Sequence, residues 1–181
     1  MNTPLPENPA ALPQAEALYQ ELLRQLKPRV SHAAGMVGIV TGGAWLAERL
    51  HAALGLRAPL AVLDASFYRD DFGEKGIKPH TSPSQVPFEV QGREILLVDD
   101  ILYTGRTVRA AMNELFDYGR PARIELAVLA DRGGRELPIE PAYCGGKVNV
   151  PKGSILMLER DPSNAFSLRF SAARRERKAE A

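Results

Sequence analysis

The chain has very little cysteine, with Cys144 as the only one among 181 residues. One thiol excludes an internal disulfide and is typical of a reducing compartment, and no Cys/His spacing around it indicates a zinc site. The chain also lacks any apolar run near the roughly 20 residues of a membrane-spanning helix. Residues 1–9 lack the basic and apolar regions of a signal peptide, so we expect a cytoplasmic protein with no membrane partner.

The chain also has little net charge, because 23 basic side chains face 22 acidic ones. A formal charge of +1 excludes a global attraction to nucleic acid, so any such binding would need a local basic patch. The length and the apolar fraction of 45% are those of one ordinary globular domain. We predict a disordered N-terminus over residues 1–11, one domain over residues 12–170 and a charged tail over residues 171–181.

Short apolar runs alternate with segments of helical periodicity, which predicts an α/β fold with a mainly parallel sheet flanked by helices. The apolar runs predict strands at residues 36–40, 60–63, 95–98, 124–130 and 155–158. The helical spacing predicts helices at residues 12–27, 44–54 and 108–116. Residues 64–92 fit neither pattern, and we interpret them as an excursion over the active face with a flexible tip near residues 72–84.

The most informative segment is residues 95–107, in which an apolar strand ends in two acids. Asp99 and Asp100 are costly after a buried strand unless they have partners, and the vicinal hydroxyls of a ribose are suitable donors. Because adjacent residues at a strand end diverge, one acid can hold the sugar while the other approaches a metal or a backbone amine. A helix-capping role for the acids is the alternative.

A loop of small and hydroxyl-bearing residues follows the acids and precedes a helix. Gly105 allows the backbone to approach a ligand closely, and exposed amides at the start of the helix favour an anion. No lysine follows the glycine as a Walker loop requires, so a monophosphate is favoured over a nucleoside triphosphate. An ordinary strand-to-helix turn is the alternative. The predicted sugar-phosphate site comprises Asp99, Asp100, Ile101, Leu102, Tyr103, Thr104, Gly105, Arg106 and Thr107.

Two further loops follow predicted strands, and in a parallel sheet they should converge with the first at one edge. Thr41, Gly42 and Gly43 are a plain turn when considered alone, but beside the first loop they predict a diphosphate site. Asp131 and Arg132 follow the next strand, where their backbone could meet the polar edge of a base.

A dense run of charged side chains lies within the excursion and includes Arg69. An arginine on a mobile loop can neutralise a departing anion, and closure of such a loop excludes water. A solvated charged turn is the alternative interpretation of this run.

These motifs resemble those of the type I phosphoribosyltransferases, and several segments are closer to one branch of that family, the pyrimidine operon regulators called PyrR. The likeness to the branch is carried by residues 67–71, 102–111, 118–122 and 131–139. The resemblance implies a single-domain type I phosphoribosyltransferase fold with a small hood and a flexible covering loop. Apolar surface around so small a sheet domain leads us to expect a homodimer or homotetramer.

The resemblance also implies two activities, since PyrR proteins bind leader mRNA of pyrimidine genes in response to UMP or UTP. Many of them also convert uracil and phosphoribosyl pyrophosphate (PRPP) to UMP and diphosphate. By this likeness, Asp99 and Asp100 hold the ribose and residues 103–107 the 5′-phosphate, while the loop at Thr41 holds the diphosphate. Arg69 covers the site, residues 131–132 lie near the base, and Mg²⁺ accompanies PRPP with indirect contact to Asp99 and Asp100.

Two features depart from the family pattern. The diphosphate loop of the family usually reads Thr-Arg-Gly, and the guanidinium that Gly42 lacks would supply about 3–4 kcal/mol to the leaving group. The first helix of RNA-binding relatives carries an arginine-rich face, whereas residues 12–29 hold three basic and two acidic side chains, and Glu140 stands where relatives tend to be basic. A nucleotide-sensing pyrimidine regulator with weak or no transferase activity is therefore a second hypothesis. A transferase for a purine base is a third, against which residues 131–139 argue.

Overall fold

The computed structural model describes residues 12–65 and 84–172. The predicted N-terminal segment, Arg69 and most of the predicted covering loop and tail lie outside these residues. Within them, ten elements follow one another along the chain. They are α1 (Ala15–Leu26), β1 (Gly35–Ile39), α2 (Gly42–Leu54), β2 (Ala61–Leu63), β3 (Glu94–Leu102), α3 (Arg106–Asp117), β4 (Arg123–Asp131), β5 (Tyr143–Lys147), β6 (Ser154–Arg160) and β7 (Phe166–Ala172).

Five strands form one sheet in the order β2-β1-β3-β4-β5, and every pairing in it is parallel. This confirms the predicted α/β class. Strands β6 and β7 form a separate antiparallel pair, which we call the hood. Strand β7 ends at Ala172, beyond the boundary that we predicted at residue 170. No helix among residues 12–65 and 84–172 is both long enough and apolar enough to cross a membrane.

The parallel sheet is covered on both faces. On one face α1, α2 and the hood pack against Met36, Leu96 and Leu129. On the other face α3 and Val90 pack against a second set of strand residues that includes Leu97. Strands buried on both faces are continuously apolar, which is why β1, β3 and β4 were recognisable in the sequence.

Two strands were not predicted from the sequence, and the end of a third was placed too early. Strand β5 contains Gly145 and Gly146 in place of an apolar run, because a Cβ at Gly145 would lie 2.5 Å from the carbonyl oxygens of Leu18 and Leu129. Strand β7 alternates apolar and polar residues, a period-2 signal that could have identified it. Strand β3 was predicted to end before the acids, but it continues to Leu102 and includes them.

Residues at both described ends of the excursion meet beside β2. Val62 and Gln85 form an antiparallel bridge, and the Asp64 N–H donates to Ser84 Oγ at 3.0 Å. The chain therefore leaves and returns at the same edge of the parallel sheet.

The hood is held to the helices by Arg49 of α2. Its guanidinium donates to both carboxylate oxygens of Glu16 at 2.7 and 2.8 Å. The same group lies 4.0 Å from the centroid of the Tyr19 ring and 4.3 Å from that of Phe166. Glu16 also accepts the backbone N–H of Phe166 at 2.8 Å, so α1, α2 and β7 meet at one charged cluster. The hydrogen bond from Arg49 lowers the pKa of Glu16, although burial opposes this shift.

We expect Glu16→Gln to lower the free energy of unfolding by about 1 kcal/mol at pH 7, as measured by urea denaturation. Since the pKa of Glu16 is lower in the folded state than its unfolded value of about 4.3, its contribution is present above that pH. The contribution is lost as the pH falls through the folded-state pKa, so wild type and variant should converge in acid.

Glu159→Gln is the matched control, because Glu159 pairs with Arg169 on the outer surface of the hood. This variant should unfold like the wild type at pH 7. A Glu16→Gln deficit that is equally large at pH 7 and in acid would contradict the assigned role of the carboxylate.

Candidate functional site

The carboxyl ends of β1, β3 and β4 meet at one edge of the sheet. Strand β3 is the central one of the three, and its last residue, Leu102, is in register with Asp131 at the end of β4. The loop at Thr41 and the loop after β3 both lie at this edge. The structure thus brings together all the predicted site residues except Arg69, which lies outside the described residues.

The acidic pair lies near the carboxyl end of β3. Both side chains are nearly buried, with 6% of Asp99 and 8% of Asp100 exposed. The Asp99 carboxylate accepts the backbone N–H of Asp100 at 3.0 Å. Both acids border the start of α2, because a Cβ at Gly42 would overlap the Asp100 carboxylate and one at Gly43 would lie 3.2 Å from Asp99 Oδ1. Leu102 is buried in the core on one face of the sheet, and Ile101 packs against the core on the opposite face. These two residues therefore offer only their backbone to a ligand.

Two glycines allow α2 to begin in contact with the acidic pair. A Cβ at Gly42 would overlap the Asp100 carboxylate, lying 2.5 Å from its Cγ and 3.0 Å from its Cβ. A Cβ at Gly43 would lie 2.6 Å from the carbonyl oxygen of Val98. The first turn of α2 contains no acidic residue, and Thr41 makes no side-chain cap. The N-terminal amides of α2 are therefore suited to an anion beside Asp100.

Residues 103–105 form the loop after β3, which we call the phosphate loop, and they lead directly into α3. Gly105 is the N-cap residue and has φ of +92°, a left-handed conformation that favours glycine. Thr104 is buried, and its Oγ1 accepts the Arg106 N–H at 3.3 Å. The first turn of α3 also lacks acidic residues. Amides and hydroxyls thus surround this bend, which is the arrangement that a phosphate requires.

The segment after β4 wraps around this loop. The backbone N–H groups of Glu136 and Leu137 both donate to the Thr104 carbonyl, at 3.0 and 3.1 Å. The Arg132 guanidinium lies 4.0 Å from the centroid of the Tyr103 ring and donates to a hood carbonyl, that of Ser154, at 3.4 Å. Among the described residues, Arg132 Nε is the one buried side-chain polar atom without a hydrogen-bond partner. Arg132 therefore borders the site between the phosphate loop and the hood.

The Asp131 carboxylate is occupied by neighbours within its own segment. It accepts Nη2 of Arg135 at 2.7 Å and the backbone N–H of Gly133 at 2.8 Å. Burial raises the pKa of Asp131, but these two hydrogen bonds outweigh burial and the pKa lies below its ordinary value. Asp131 is therefore ionised at neutral pH. The sequence placed Asp131 near the base and included Arg135 in the same segment, but it gave the Arg135 side chain no role.

The residues at this edge fit a magnesium ion that arrives with a phosphorylated ligand. No cluster of three or more His, Cys, Asp or Glu side chains that could hold a metal ion occurs in residues 12–65 and 84–172. Mg²⁺ commonly binds through one or two carboxylates, water and substrate phosphates. Asp99 and Asp100 supply two carboxylates close to both predicted phosphate sites.

Comparison with known proteins gives a consistent result. The model of the phosphoribosyl transferase domain matches residues 4–152. A "Bifunctional protein PyrR" of Ralstonia nicotianae is 51% identical over 164 residues, which cover 88% of this chain and 93% of that protein. A protein of the same name from Nitrosococcus oceani is 46% identical over 162 residues, covering 86% of this chain and 91% of that one.

Solved structures show the same fold. A hypoxanthine phosphoribosyltransferase of Staphylococcus aureus has a TM-score of 0.59 and 21% identity, covering 82% of this chain and 84% of that one. An HGPRT-ase of Leishmania tarentolae in complex with GMP has a TM-score of 0.58 and 18% identity, covering 80% and 84%. At these identities the likeness concerns the fold alone.

We expect Gly42→Ala to displace the Asp100 carboxylate and to weaken the binding of ribose 5-phosphate about tenfold, which corresponds to one hydrogen bond to a charged group. Isothermal titration calorimetry measures this change. Gly55→Ala is the control: Gly55 ends the same helix with φ of +60°, and an added Cβ there meets open space. That variant should lose stability but keep its affinity. Unchanged affinity in Gly42→Ala would show that the close contact with Asp100 has no part in binding.

Proposed function

The chain belongs to the phosphoribosyltransferase family, in its branch of bifunctional PyrR proteins, and from this we propose that it has both activities of the branch. One is the transfer of phosphoribose from PRPP to uracil, which gives UMP and diphosphate. The other is the regulation of pyrimidine gene expression in response to UMP or UTP. The observation that carries the proposal is the nearly buried pair Asp99 and Asp100 beside a bend lined with amides and hydroxyls.

The proposed position of PRPP follows from the three loops. Its 5′-phosphate lies against residues 104–107, where the start of α3 and the threonine hydroxyls supply donors. Its ribose hydroxyls donate to Asp99 and Asp100, and its diphosphate lies against the amides at Gly42 and Gly43. This placement gives each anionic part of PRPP a helix N-terminus and each hydroxyl a carboxylate.

In the proposed reaction the bond between C1′ and the diphosphate oxygen breaks, and a bond between C1′ and N1 of uracil forms. The diphosphate leaves with the bonding electrons, and the N1 proton of uracil passes to it or to water. Positive charge builds on the ribose meanwhile, and the nearby carboxylates of Asp99 and Asp100 stabilise it. The reaction needs no covalent nucleophile, because holding the two substrates in line supplies much of the rate.

Asp99 and Asp100 are also the residues that we propose to hold Mg²⁺, through water or through the ribose hydroxyls. Bound there, Mg²⁺ would supply positive charge that favours the departure of diphosphate. Arg69 is proposed to cover the diphosphate. Gly42 itself offers only its backbone amide in place of the guanidinium found in relatives.

The proposed base site lies between the end of β4 and the hood. Uracil presents two carbonyl acceptors and an N–H donor along one edge. The Arg132 N–H and the Asp131 carbonyl are bonded to Leu102 and Val148, so the donor proposed for the base is the buried Nε of Arg132, which lacks a partner among the described residues. These features support a base with an acceptor-rich edge.

The close contact at Gly42 bears on the alternative of a regulator with little transferase activity. Replacement of Gly42 by arginine would restore the side chain of the family pattern, and a gain in turnover would indicate a site that has lost activity. That replacement also introduces a Cβ that overlaps the Asp100 carboxylate, so a failure to gain turnover would not distinguish the two hypotheses. Turnover by the unmodified protein is the better criterion.

The regulatory half of the proposal names leader mRNA of pyrimidine genes as a partner, with a homodimer or homotetramer in the cytoplasm as the active form. Residues 12–29 place Arg24, Lys27 and Arg29 on or just after α1. Arg24 is paired with Glu21 at 2.7 Å, and residues 12–29 have a net charge of only +1. This segment offers few phosphate contacts, so RNA binding is expected to be weak without the nucleotide.

We expect the protein to form UMP from uracil and PRPP in the presence of Mg²⁺, as measured by chromatography of the products. Asp100→Asn should lower kcat/KM about 100-fold, since it removes charge that stabilises the transition state. Asp117→Asn, at the exposed end of α3, should leave the rate unchanged. Absence of UMP at high enzyme concentration would reject the transferase activity.

We expect UMP to strengthen the binding of the upstream RNA of pyrimidine genes in a gel-shift titration at moderate salt. A scrambled RNA of equal length is the control and should bind weakly with or without UMP. A shift that does not respond to UMP would count against the regulatory activity and leave the transferase proposal standing.

A further inference from the structure

Three consecutive carbonyl oxygens, one at the end of β3 and two in the loop that follows it, all turn toward the segment after β4. These are residues 102, 103 and 104, and each accepts at least one hydrogen bond from that segment. The donors, in order, are the N–H of Arg132 at 3.1 Å, Nη1 of Arg135 at 2.9 Å, and the N–H groups of Glu136 and Leu137 at 3.0 and 3.1 Å.

This arrangement fixes the direction of the amides that follow those carbonyls. In a planar trans peptide the C=O and the next N–H point in opposite directions. When the carbonyls of residues 102–104 face the segment after β4, the N–H groups of residues 103–105 face away from it. An anion-binding loop needs its amides turned to one side, and the hydrogen bonds to the carbonyls produce that orientation.

Arg135 is the side chain among these donors, and it joins three separate parts of the site. Its Nη1 donates to the Tyr103 carbonyl, its Nη2 to Asp131 at 2.7 Å, and its Nε to the Ile139 carbonyl at 2.8 Å. The Arg135 side chain is 16% exposed, so water competes little for these bonds. Ile139 in turn lies beside Gly105, where a Cβ would be 3.4 Å from it. One planar guanidinium therefore links the end of β4, the phosphate loop and the wall behind that loop.

We infer that Arg135 is a positioning residue that couples the phosphate loop to the base site. It holds the peptide planes of the loop for the 5′-phosphate and holds Asp131, whose backbone borders the base. Loss of Arg135 weakens the binding of the sugar phosphate and of the base together, although Arg135 touches neither. The identity of the two ligands rests on the function proposed above, whereas the orientation of the loop does not.

The test compares Arg135→Lys with Arg123→Lys, a matched control at the amino end of β4 whose guanidinium pairs with Glu94 and Glu125 at 3.4 and 3.5 Å. Lysine keeps the charge but cannot reach three acceptors in a plane. We expect Arg135→Lys to raise the Kd for ribose 5-phosphate about 10- to 100-fold. Hydrogen exchange of amides 103–105 in the free protein should become faster. Arg123→Lys should change neither quantity.

Steady-state kinetics give a readout that a merely structural role would not produce. In Arg135→Lys the KM values for PRPP and uracil should rise together. Adding Asp131→Asn to this variant should raise them little further, because both changes break the same link. Equal affinity and equal exchange in Arg135→Lys and wild type, measured below the melting temperature of both, would overturn the inference. So would a rise in only one of the two KM values.

The outcome for Arg135 is separable from the proposed function. A wild-type protein that binds ribose 5-phosphate but makes no UMP would reject the transferase proposal, while the affinity and exchange data would still decide the role of Arg135. Conversely, normal turnover with an unchanged Arg135→Lys variant would overturn the inference alone.

Discussion

Close packing at the carboxyl end of β3 is the constraint on which the rest of the site depends. Two carboxylates, Asp99 and Asp100, lie there with less than a tenth of their surface exposed. Such groups persist near a core only where donors surround them. The Asp99 carboxylate accepts the N–H of Asp100, and Gly42 and Gly43 let the backbone at the start of α2 approach both acids where a Cβ would overlap them. The same close approach puts the start of α2 where we propose that the diphosphate binds.

The parallel sheet extends this local packing into a site with three parts. Because β1, β3 and β4 are neighbours and all run in one direction, their loops meet at a single edge. Each loop brings a different chemistry: helix amides after β1, carboxylates and a phosphate bend in and after β3, and a polar segment after β4. The hood adds the far wall, and Arg49 fixes it to α1 and α2 through Glu16 and two aromatic rings.

Much of this arrangement was predictable from the sequence, because β1, β3 and β4 are continuous apolar runs and the acids follow one of them directly. The convergence of the three loops followed from strand alternation alone. Strand β5 was not predictable, since Gly145 is required there by the closeness of α1 and gives no apolar signal. The role of Arg135 was also not predictable, because its three acceptors belong to parts of the chain that only the folded loop brings together. Sequence patterns gave the groups that we predict to touch a ligand and missed those that hold them in place.

The most direct measurement is a crystal structure of the protein with ribose 5-phosphate bound. The account predicts that the phosphoryl group lies within hydrogen-bonding distance of the backbone amides of residues 104–107, with the sugar hydroxyls toward Asp99 and Asp100. A ligand bound at another position, with that bend empty, would contradict it.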